Sequence, residues 1–266
     1  MTDDVVLSAQ SLPIHILSSN RNVQAVAALE DSYKKRIACF LQDRFDQLLE
    51  ADYLLREYLS RLIRSGAKAV VFGGWARDRV IEMTRLHPCV SRDIDMVSHG
   101  MLGVVDMLGP TATINVFGGV GLPASTIHFD AWDLPNTFLI RRHSLPIDFS
   151  VLPRTADYTC NALIFMPNQF FDEPKVVDFG AIAAIDKRVI DFQADEVVLP
   201  VNQASRSIIL AARLNFRLSE TVAEFLRKMC TSQSVNLQIL EGLQEYCPHQ
   251  LLKKAHASLI EALQAN

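Results

Sequence analysis

The stretch Gly73-Gly74-Trp75-Ala76-Arg77-Asp78, with Asp93-Ile94-Asp95 after it, decides the fold of this chain. The apolar run 67–72 predicts a buried strand, which ends at the two glycines and is followed by helix-forming residues through Met83. Glycine lets the backbone approach a ligand closely, and a helix N-terminus directs N–H groups towards an anion. The sequence therefore predicts a phosphate site at Gly73 and Gly74.

Two aspartates follow this turn, Asp93 and Asp95. Side chains two positions apart on a strand share one face, so both carboxylates would reach the same divalent ions. A pair of Mg²⁺ ions held by carboxylates suits in-line attack on a nucleotide phosphate. The pattern predicts nucleotidyl transfer with two Mg²⁺ ions, and Mn²⁺ is the alternative ion.

A third carboxylate from a neighbouring strand usually completes such a site. Asp130 lies in the alternating run 127–132, which predicts a half-buried strand, and it is the expected third ligand. Asp148 is the alternative, but it precedes Asp157 by so few residues that the chain has little room to cross the sheet and return. His128 and His143 are interpreted as structural residues.

Composition allows a soluble globular protein with a substantial core. The chain has 266 residues, of which 49% are hydrophobic and 21% charged, and its net charge is −4. This charge neither indicates nor excludes a nucleic-acid partner, because local patches matter more than the sum. The candidate basic patches are Lys34-Lys35-Arg36, Arg61 with Arg64 and Lys68, and Arg141-Arg142-His143. Charge runs of this kind are most often solvated faces.

The cysteines and the N-terminus indicate a cytoplasmic protein. Five cysteines are scattered without a Cys-x-x-Cys pair, which fits a reducing compartment and neither a disulfide framework nor a zinc site. The N-terminus has no basic region of the signal-peptide kind, and no apolar run reaches the length of a membrane span. We expect no membrane partner.

Periodicity predicts three parts: an N-terminal helical segment 1–65, a domain of mixed strands and helices 66–190 and a C-terminal helical domain 191–266. Residues 1–22 show no clear period, residues 23–64 have helical spacing, and Gly66 is a plausible C-terminal cap. Strands are predicted at 67–72, 93–98, 112–118, 125–132, 159–166 and 175–179. Helices are predicted at 75–84, 101–108, 200–216, 220–231, 234–247 and 249–264. Thr221 with Glu224 is the expected capping box of the helix predicted at 220–231.

Several motifs, in order, resemble one known family. Besides the glycine turn and the aspartate pair, they are Asp157-Tyr158-Thr159-Cys160-Asn161-Ala162-Leu163, Val176-Val177-Asp178-Phe179-Gly180, Lys187-Arg188-Val189-Ile190 and Ala211-Ala212-Arg213-Leu214-Asn215-Phe216. Together they resemble the head domain of the tRNA nucleotidyltransferase (CCA-adding) and bacterial poly(A) polymerase family over roughly residues 66–225. The resemblance implies an α+β nucleotidyltransferase head of the polymerase-beta type, with a mixed sheet, N-terminal helices and a C-terminal helical neck.

The resemblance also implies roles for individual residues. Gly73 and Gly74 would approach the triphosphate, Arg77 would contact phosphate or ribose, and Asp78 would cap or brace the following helix. Asp157 and Asn161 match positions that lie against the sugar or the wall of the site, and Arg206 matches an arginine of the neck helix. These nucleotide-binding residues would act beside the catalytic and metal-binding residues Asp93, Asp95 and Asp130.

The chain departs from the family at two places. The paired arginines before the family's aspartate are replaced by Thr155 and Ala156, and Arg154 would point elsewhere. The neck positions that read the incoming base in CCA-adding enzymes hold Leu199, Pro200 and Gln203. Without carboxylate and guanidinium groups there, programmed selection of C and then A is not expected. Base choice by shape or stacking stays open, and either a preference for ATP or no strict preference is expected.

Three hypotheses follow for the function. The first is an enzyme that transfers a nucleoside monophosphate from an NTP to an RNA 3′ end, with tRNA or another structured RNA as acceptor. The second is nucleotidylation of a protein or a small molecule, as by a toxin or an effector. The third is a non-catalytic head that binds nucleotide. The intact carboxylates Asp93, Asp95 and Asp130 argue against the third.

Overall fold

The computed structural model describes residues 14–15, 31–84, 91, 93–100, 113–114, 119–122 and 127–264. These residues form two compact units, one within 22–187 and the other made of 188–264 with residues 14–15. The division into 1–65, 66–190 and 191–266 stays a prediction. No helix of the described residues is both long and apolar enough to cross a membrane.

The helices and strands have the following bounds. The strands are β1 (Ile14–His15), β2 (Lys68–Phe72), β3 (Asp93–His99), β4 (Thr113–Ile114), β5 (Val120–Leu122), β6 (His128–Asp133), β7 (Leu163–Met166), β8 (Lys175–Asp178), β9 (Val189–Ile190), β10 (Glu196–Val197) and β11 (Arg217–Leu218). The helices are α1 (Asp31–Ala51), α2 (Tyr53–Arg64), α3 (Gly74–Met83), α4 (Phe138–His143), α5 (Ala181–Lys187), α6 (Pro200–Leu214), α7 (Glu220–Met229), α8 (Gln233–Tyr246) and α9 (Leu252–Gln264). Short 3₁₀ helices occupy 134–136, 149–155, 159–161 and 249–251.

Seven of the described strands form one mixed sheet, in the order β4-β5-β6-β3-β2-β7-β8. The central pair, β3 and β6, is parallel, and the other neighbours are antiparallel. The predicted α+β head with a mixed sheet is therefore confirmed.

One face of this sheet packs against α1, α2 and α3. The ring of Phe45 on α1 lies 6.0 Å from that of Trp75 on α3 and 5.9 Å from that of Phe165 on β7. Tyr58 on α2 packs on Phe129 of β6 with ring centroids 4.8 Å apart. Each of these large side chains stabilises the fold by about 1.5–3 kcal/mol relative to an exposed position. We call this side of the sheet the helix face.

The opposite side carries Asp93, Asp95 and Asp130, and we call it the carboxylate face. Away from the aspartates it is covered by a second apolar cluster, in which Val70, Val97 and Ile164 of the sheet pack with Ile140 of α4 and Leu152 of the 3₁₀ helix 149–155. Val70, Val97 and Ile164 are thus buried on this side of the sheet, whereas Asp93, Asp95 and Asp130 are only partly buried.

The predicted elements differ from the structure at several positions. The strand predicted at 159–166 begins with the 3₁₀ helix 159–161, and only Leu163–Met166 are extended. Neither α4 nor α5 was predicted, and neither was β5. The helix predicted at 101–108 and most of the strand predicted at 112–118 lie outside the described residues.

The end of α2 follows the prediction. Gly66 has φ +73°, its N–H donates to the carbonyl of Ile63 at 3.0 Å, and the N–H of Ala67 donates to Leu62 at 3.1 Å. A left-handed glycine with these two bonds terminates a helix and satisfies its last carbonyls.

The C-terminal unit is built from α6 to α9 with two small strand pairs. Strand β1 pairs antiparallel with β10, and β9 pairs parallel with β11. Phe192 and Phe225 pack edge to face at 5.2 Å, inside a core to which every helix of the unit contributes.

The capping box expected at Thr221 and Glu224 is wrong. Helix α7 begins one residue after Ser219, whose Oγ accepts a hydrogen bond from the N–H of Val222 at 3.2 Å. The same hydroxyl donates to Oδ1 of Asp191 at 2.7 Å. Ser219 is the N-cap because its backbone is extended, as a cap requires, whereas Thr221 already lies inside the helix.

Candidate functional site

The parallel pairing of β3 and β6 brings two of the predicted carboxylates to neighbouring positions. Asp95 is the backbone partner of Asp130, and Asp93 is the partner of His128. Neighbouring strands lie about 4.8 Å apart, and paired residues point to the same face. The register therefore places Asp93, Asp95 and Asp130 together on the carboxylate face.

The alternation along β3 explains why these polar residues are tolerated. Ile94 and Met96 point to the helix face and are fully buried, whereas Asp93 and Asp95 are only partly buried. Phe72, the last residue of β2, lies opposite Asp95 on the other side of β3. The glycine turn that follows Phe72 is thus at the same edge of the sheet as the aspartates.

The glycine turn has a backbone that only glycine adopts readily. Gly73 has φ +71° and ψ −117°, its N–H donates to the carbonyl of Leu163, and its own carbonyl accepts from the N–H of Arg77, both at 3.0 Å. Helix α3 then begins at Gly74. The first N–H groups of a helix have no acceptor within it, so this end of α3 can serve an anion.

Arg77 does not lie on the surface. It is 3% exposed, and its guanidinium donates to Oδ1 of Asp78 at 2.7 Å through Nε and to Oδ1 of Asn161 through Nη1. Asp78 is fully buried, and its Oδ2 accepts from Ser91 at 3.2 Å. These side chains form a buried polar network between α3 and the 3₁₀ helix 159–161.

Cys160 lies beside this network. Burial raises the pKa of its thiol to about 12, although the positive charge of Arg77 acts in the opposite direction. The thiol is therefore neutral and inert in the folded protein. Cys39, Cys160, Cys230 and Cys247, the cysteines that the structure describes, are free thiols.

Asp157 and Asn161 lie at the same end of the head as the glycine turn. A side chain on Gly73 would approach the carbonyl of Asn161, at 3.9 Å, so this carbonyl borders the turn. Asp157 is partly buried and directly precedes the buried Tyr158. Arg154 lies over the ring of Phe179, at 5.4 Å from its centroid, and its guanidinium is thus directed to that ring.

The alternative carboxylate, Asp148, has a different environment. It lies outside the strands, where it is exposed and caps the 3₁₀ helix 149–155 by accepting from the N–H of Ser150 at 2.7 Å. The hydrogen bonds from Ser150 lower the pKa of Asp148. Arg206, the remaining predicted nucleotide ligand, is on α6 of the C-terminal unit, and its role stays a prediction.

His128, which the sequence analysis interprets as a structural residue, is a neighbour of the carboxylates. Its side chain is 60% exposed, and Nε2 lies 3.3 Å from Oδ2 of Asp130. An exposed ring is not part of the core, and whether His128 has a structural or a catalytic role stays a prediction. The signal was available in the sequence, since residues two apart on a strand share a face.

The described residues contain no group of three or more His, Cys, Asp or Glu side chains arranged to hold a metal ion. The fit to a divalent cation therefore rests on donor chemistry and register. Asp95 and Asp130 provide carboxylate oxygens from adjacent strands, and such oxygens are the ligands that Mg²⁺ prefers. The arrangement can hold a hard cation beside an anion at the start of α3.

Comparison with solved structures gives the same fold. A CCA-adding enzyme in complex with ATP matches at 18% identity with a TM-score of 0.51, covering 78% of this chain and 51% of that one. A tRNA-processing enzyme matches at 19% identity with a TM-score of 0.52, covering 79% of this chain and 59% of that one. An unliganded CCA-adding enzyme matches at 16% identity with a TM-score of 0.53.

The resemblance inferred from the sequence is thereby confirmed at the level of the fold. The chain spans between about half and three-fifths of the length of the solved structures that it matches. Neither a family model nor a curated protein sequence matches the chain.

Proposed function

We propose that the protein is a nucleotidyltransferase that moves a nucleoside monophosphate from an NTP, with ATP favoured, to the 3′ end of an RNA such as tRNA. The observation that carries the proposal is the pairing of Asp95 with Asp130 at the sheet edge where β2 turns into α3 through Gly73. It joins carboxylates and an anion-binding helix start in one place, as a metal-bound triphosphate requires.

Each part of the site has a separate task in this proposal. The first N–H groups of α3 donate to phosphate oxygens, and Gly73 and Gly74 leave room for that approach. Asp93, Asp95 and Asp130 hold two Mg²⁺ ions, with Mn²⁺ as the alternative. When bound, such ions withdraw charge from the reacting phosphate and lower the pKa of the attacking hydroxyl.

The buried network of Arg77, Asp78 and Asn161 has a supporting task. Because Arg77 donates to both Asp78 and Asn161, it fixes the start of α3 against the segment that borders the glycine turn. The exposed His128 contacts the carboxylate of Asp130, with Nε2 at 3.3 Å from Oδ2. The transferred phosphate thus meets donors and carboxylates whose positions are set before it binds.

RNA is the proposed acceptor because the neighbours in fold are RNA-processing enzymes. The names of these neighbours describe CCA addition, tRNA processing and complexes with ATP or CTP. Leu199, Pro200 and Gln203 offer no charged group to read a base edge, which argues against a programmed order of nucleotides. The N–H of Leu199 donates to Oε1 of Gln203, so this amide acts locally at the start of α6.

The test is transfer of label from each NTP, labelled at the α-phosphate, to total cellular RNA in the presence of Mg²⁺. The wild-type protein should label an RNA band, and the Asp93→Ala/Asp95→Ala variant should not. The matched control is Asp172→Ala/Glu173→Ala, which removes the same charge from an exposed turn between β7 and β8.

Equal labelling by the Asp93→Ala/Asp95→Ala variant would contradict the metal site. Label on protein in place of RNA would support nucleotidylation of a protein, the second function considered. Absence of transfer from every NTP would favour a nucleotide-binding head without catalysis. Addition of EDTA should abolish transfer, and restored Mg²⁺ or Mn²⁺ should return it.

A further inference from the structure

Helix α4 has an exposed face that combines an aromatic ring with two positive charges. Phe138, Arg141 and Arg142 follow the spacing i, i+3 and i+4, which places them on one side of a helix. Phe138 is 41% exposed, although it is a large apolar side chain, and both arginines are exposed. We call these three residues the α4 platform.

The α4 platform is anchored on the carboxylate side of the sheet by Ile140. Ile140, on the opposite side of the helix, is 2% exposed and packs in the cluster that contains Val97. Val97 is two residues beyond Asp95 on β3 and therefore shares its face. The same cluster includes Trp132, which is two residues beyond Asp130 on β6. The platform and the carboxylates thus lie on the same side of the sheet.

On this side of the sheet the negative charges lie on β3 and β6, and Arg141 and Arg142 of α4 are positive. The carboxylates Asp93, Asp95 and Asp130 would repel the phosphates of an incoming polynucleotide. Arg141 and Arg142 are both exposed on α4, and Asp148, which follows them in the sequence, caps the 3₁₀ helix 149–155. The platform offers the positive charge that a polyanionic acceptor needs to approach an acidic site.

We propose that the α4 platform binds the single-stranded 3′ end of a polynucleotide acceptor. Arg141 and Arg142 contact its phosphates, and one base stacks on the exposed ring of Phe138. Single strands are bound in this way without strict sequence preference, by cationic side chains that follow the backbone and aromatic rings that accept any base. The inference rests on the proposed nucleotidyl transfer and adds the place where the acceptor lies.

The test is a steady-state measurement of transfer to a short single-stranded oligoribonucleotide by Arg141→Glu/Arg142→Glu. Its KM for the oligonucleotide should rise by about 10-fold or more, and its KM for the NTP should stay within about twofold. In a binding titration, the slope of the log association constant against the log salt concentration should become less negative by about 1.4. Each lost phosphate contact to a single strand contributes about 0.7 to this slope. Phe138→Ala should raise the same KM by about 5-fold or more, because stacking is lost.

The matched control is Arg61→Glu/Arg64→Glu on α2. Both arginines have exposed side chains, 48% and 67%, and α2 covers the helix face through Tyr58 and Phe129. This variant carries the same change of charge on the other side of the sheet, so its KM for the oligonucleotide should stay within about twofold of the wild-type value. An equal rise in both charge variants would overturn the placement on α4.

The outcomes separate the two proposals. An unchanged KM for the oligonucleotide in Arg141→Glu/Arg142→Glu, with wild-type turnover, would overturn the platform and leave nucleotidyl transfer standing. A wild-type protein that uses NTP but labels only protein would overturn it too, because no polynucleotide would then be the acceptor. Transfer to nothing by the wild-type protein would remove the proposed function itself.

Discussion

Asp130 and Asp148 differ in the backbone that carries them. Asp130 is part of β6 and lies opposite Asp95, whereas Asp148 lies outside the strands and caps a 3₁₀ helix. A carboxylate on a paired strand keeps its position relative to its neighbour, because the ladder fixes both backbones. A cap residue on the surface is held by one local hydrogen bond. This contrast favours Asp130 over Asp148 as the proposed third ligand.

The pair of variants Asp130→Asn and Asp148→Asn tests that assignment. We expect Asp130→Asn to lower kcat for nucleotidyl transfer by at least about 100-fold, because it removes a charged oxygen that stabilises the reacting phosphate through the metal. Asp148→Asn should leave kcat within about twofold, since asparagine also caps. Steady-state rates at saturating Mg²⁺ give the comparison, and the reverse order of effects would assign the third ligand to Asp148.

Arg77 illustrates how burial sets the role of a charged residue. Its guanidinium has a carboxylate partner in Asp78, which is fully buried and has no water to solvate it if the partner is lost. Removal of one member of a buried pair costs about 3–5 kcal/mol, because the other charge stays uncompensated. The motif Arg-Asp is therefore a structural brace beneath the glycine turn.

We accordingly expect Arg77→Met to lower the free energy of unfolding by about 3–5 kcal/mol. Arg61→Met is the control, since Arg61 pairs with Glu57 on the exposed side of α2 and should cost less than about 1 kcal/mol. Urea unfolding followed by circular dichroism measures both. A loss below about 1 kcal/mol for Arg77→Met would mean that Asp78 is solvated or protonated after the change.

At the scale of elements, the start of α7 provides a direct comparison of two caps. Ser219 accepts from the N–H of Val222, and it also donates to Asp191, so Ser219→Ala removes both bonds. Loss of such a cap costs about 0.5–2 kcal/mol. Thr221→Ala should change stability by less than about 0.5 kcal/mol, because Thr221 lies within the helix and alanine favours helix formation. Chemical denaturation of both variants gives their free energies of unfolding. A larger loss of stability for Thr221→Ala than for Ser219→Ala would show that Thr221 is the cap.

Elements with a strong local signal were predictable, and those fixed by tertiary contacts were not. The apolar run before Gly73 predicted β2 within one residue, because a buried central strand has no polar interruption. Helix α4 has six residues, too few for a hydrophobic period, and it is held by the single buried residue Ile140. Strand β5 was missed because Gly119 and Gly121 indicate a turn, whereas pairing with β6 makes the segment extended.

The same distinction applies to the candidate site. The spacing of Asp93 and Asp95 predicted a shared face, because alternation is a property of any strand. The opposition of Asp95 and Asp130 depends on the register of two strands that are distant in sequence, and only the fold supplies it. Asn161 was expected at the site wall, but its contact with Arg77 arises because the chain turns through a 3₁₀ helix before β7.

At the scale of the whole molecule, burial of Cys160 couples global stability to pH. The pKa of this thiol is raised by burial from its ordinary value of 9.0 to about 12, so the folded protein strongly prefers the protonated form. The unfolded chain loses the proton near its ordinary pKa. The contribution of the thiol to stability is therefore complete below pH 9 and is lost as the pH rises towards 12.

The expected loss between pH 8 and pH 10 is about 1.4 kcal/mol, because the unfolded thiol ionises over this interval and the folded one does not. Cys160→Ala removes the ionisation, and other buried groups such as Tyr58, whose pKa burial also raises, are common to both proteins and cancel in the difference. The free energy of unfolding of the wild-type protein should therefore fall by about 1.4 kcal/mol more than that of Cys160→Ala over this range. Urea unfolding of the wild-type protein and of Cys160→Ala at pH 8 and pH 10 gives the four free energies of unfolding that the comparison needs. Equal losses in the two proteins would show that the Cys160 thiol ionises as readily in the folded state as in the unfolded chain, and hence that the network around Arg77 is open to solvent.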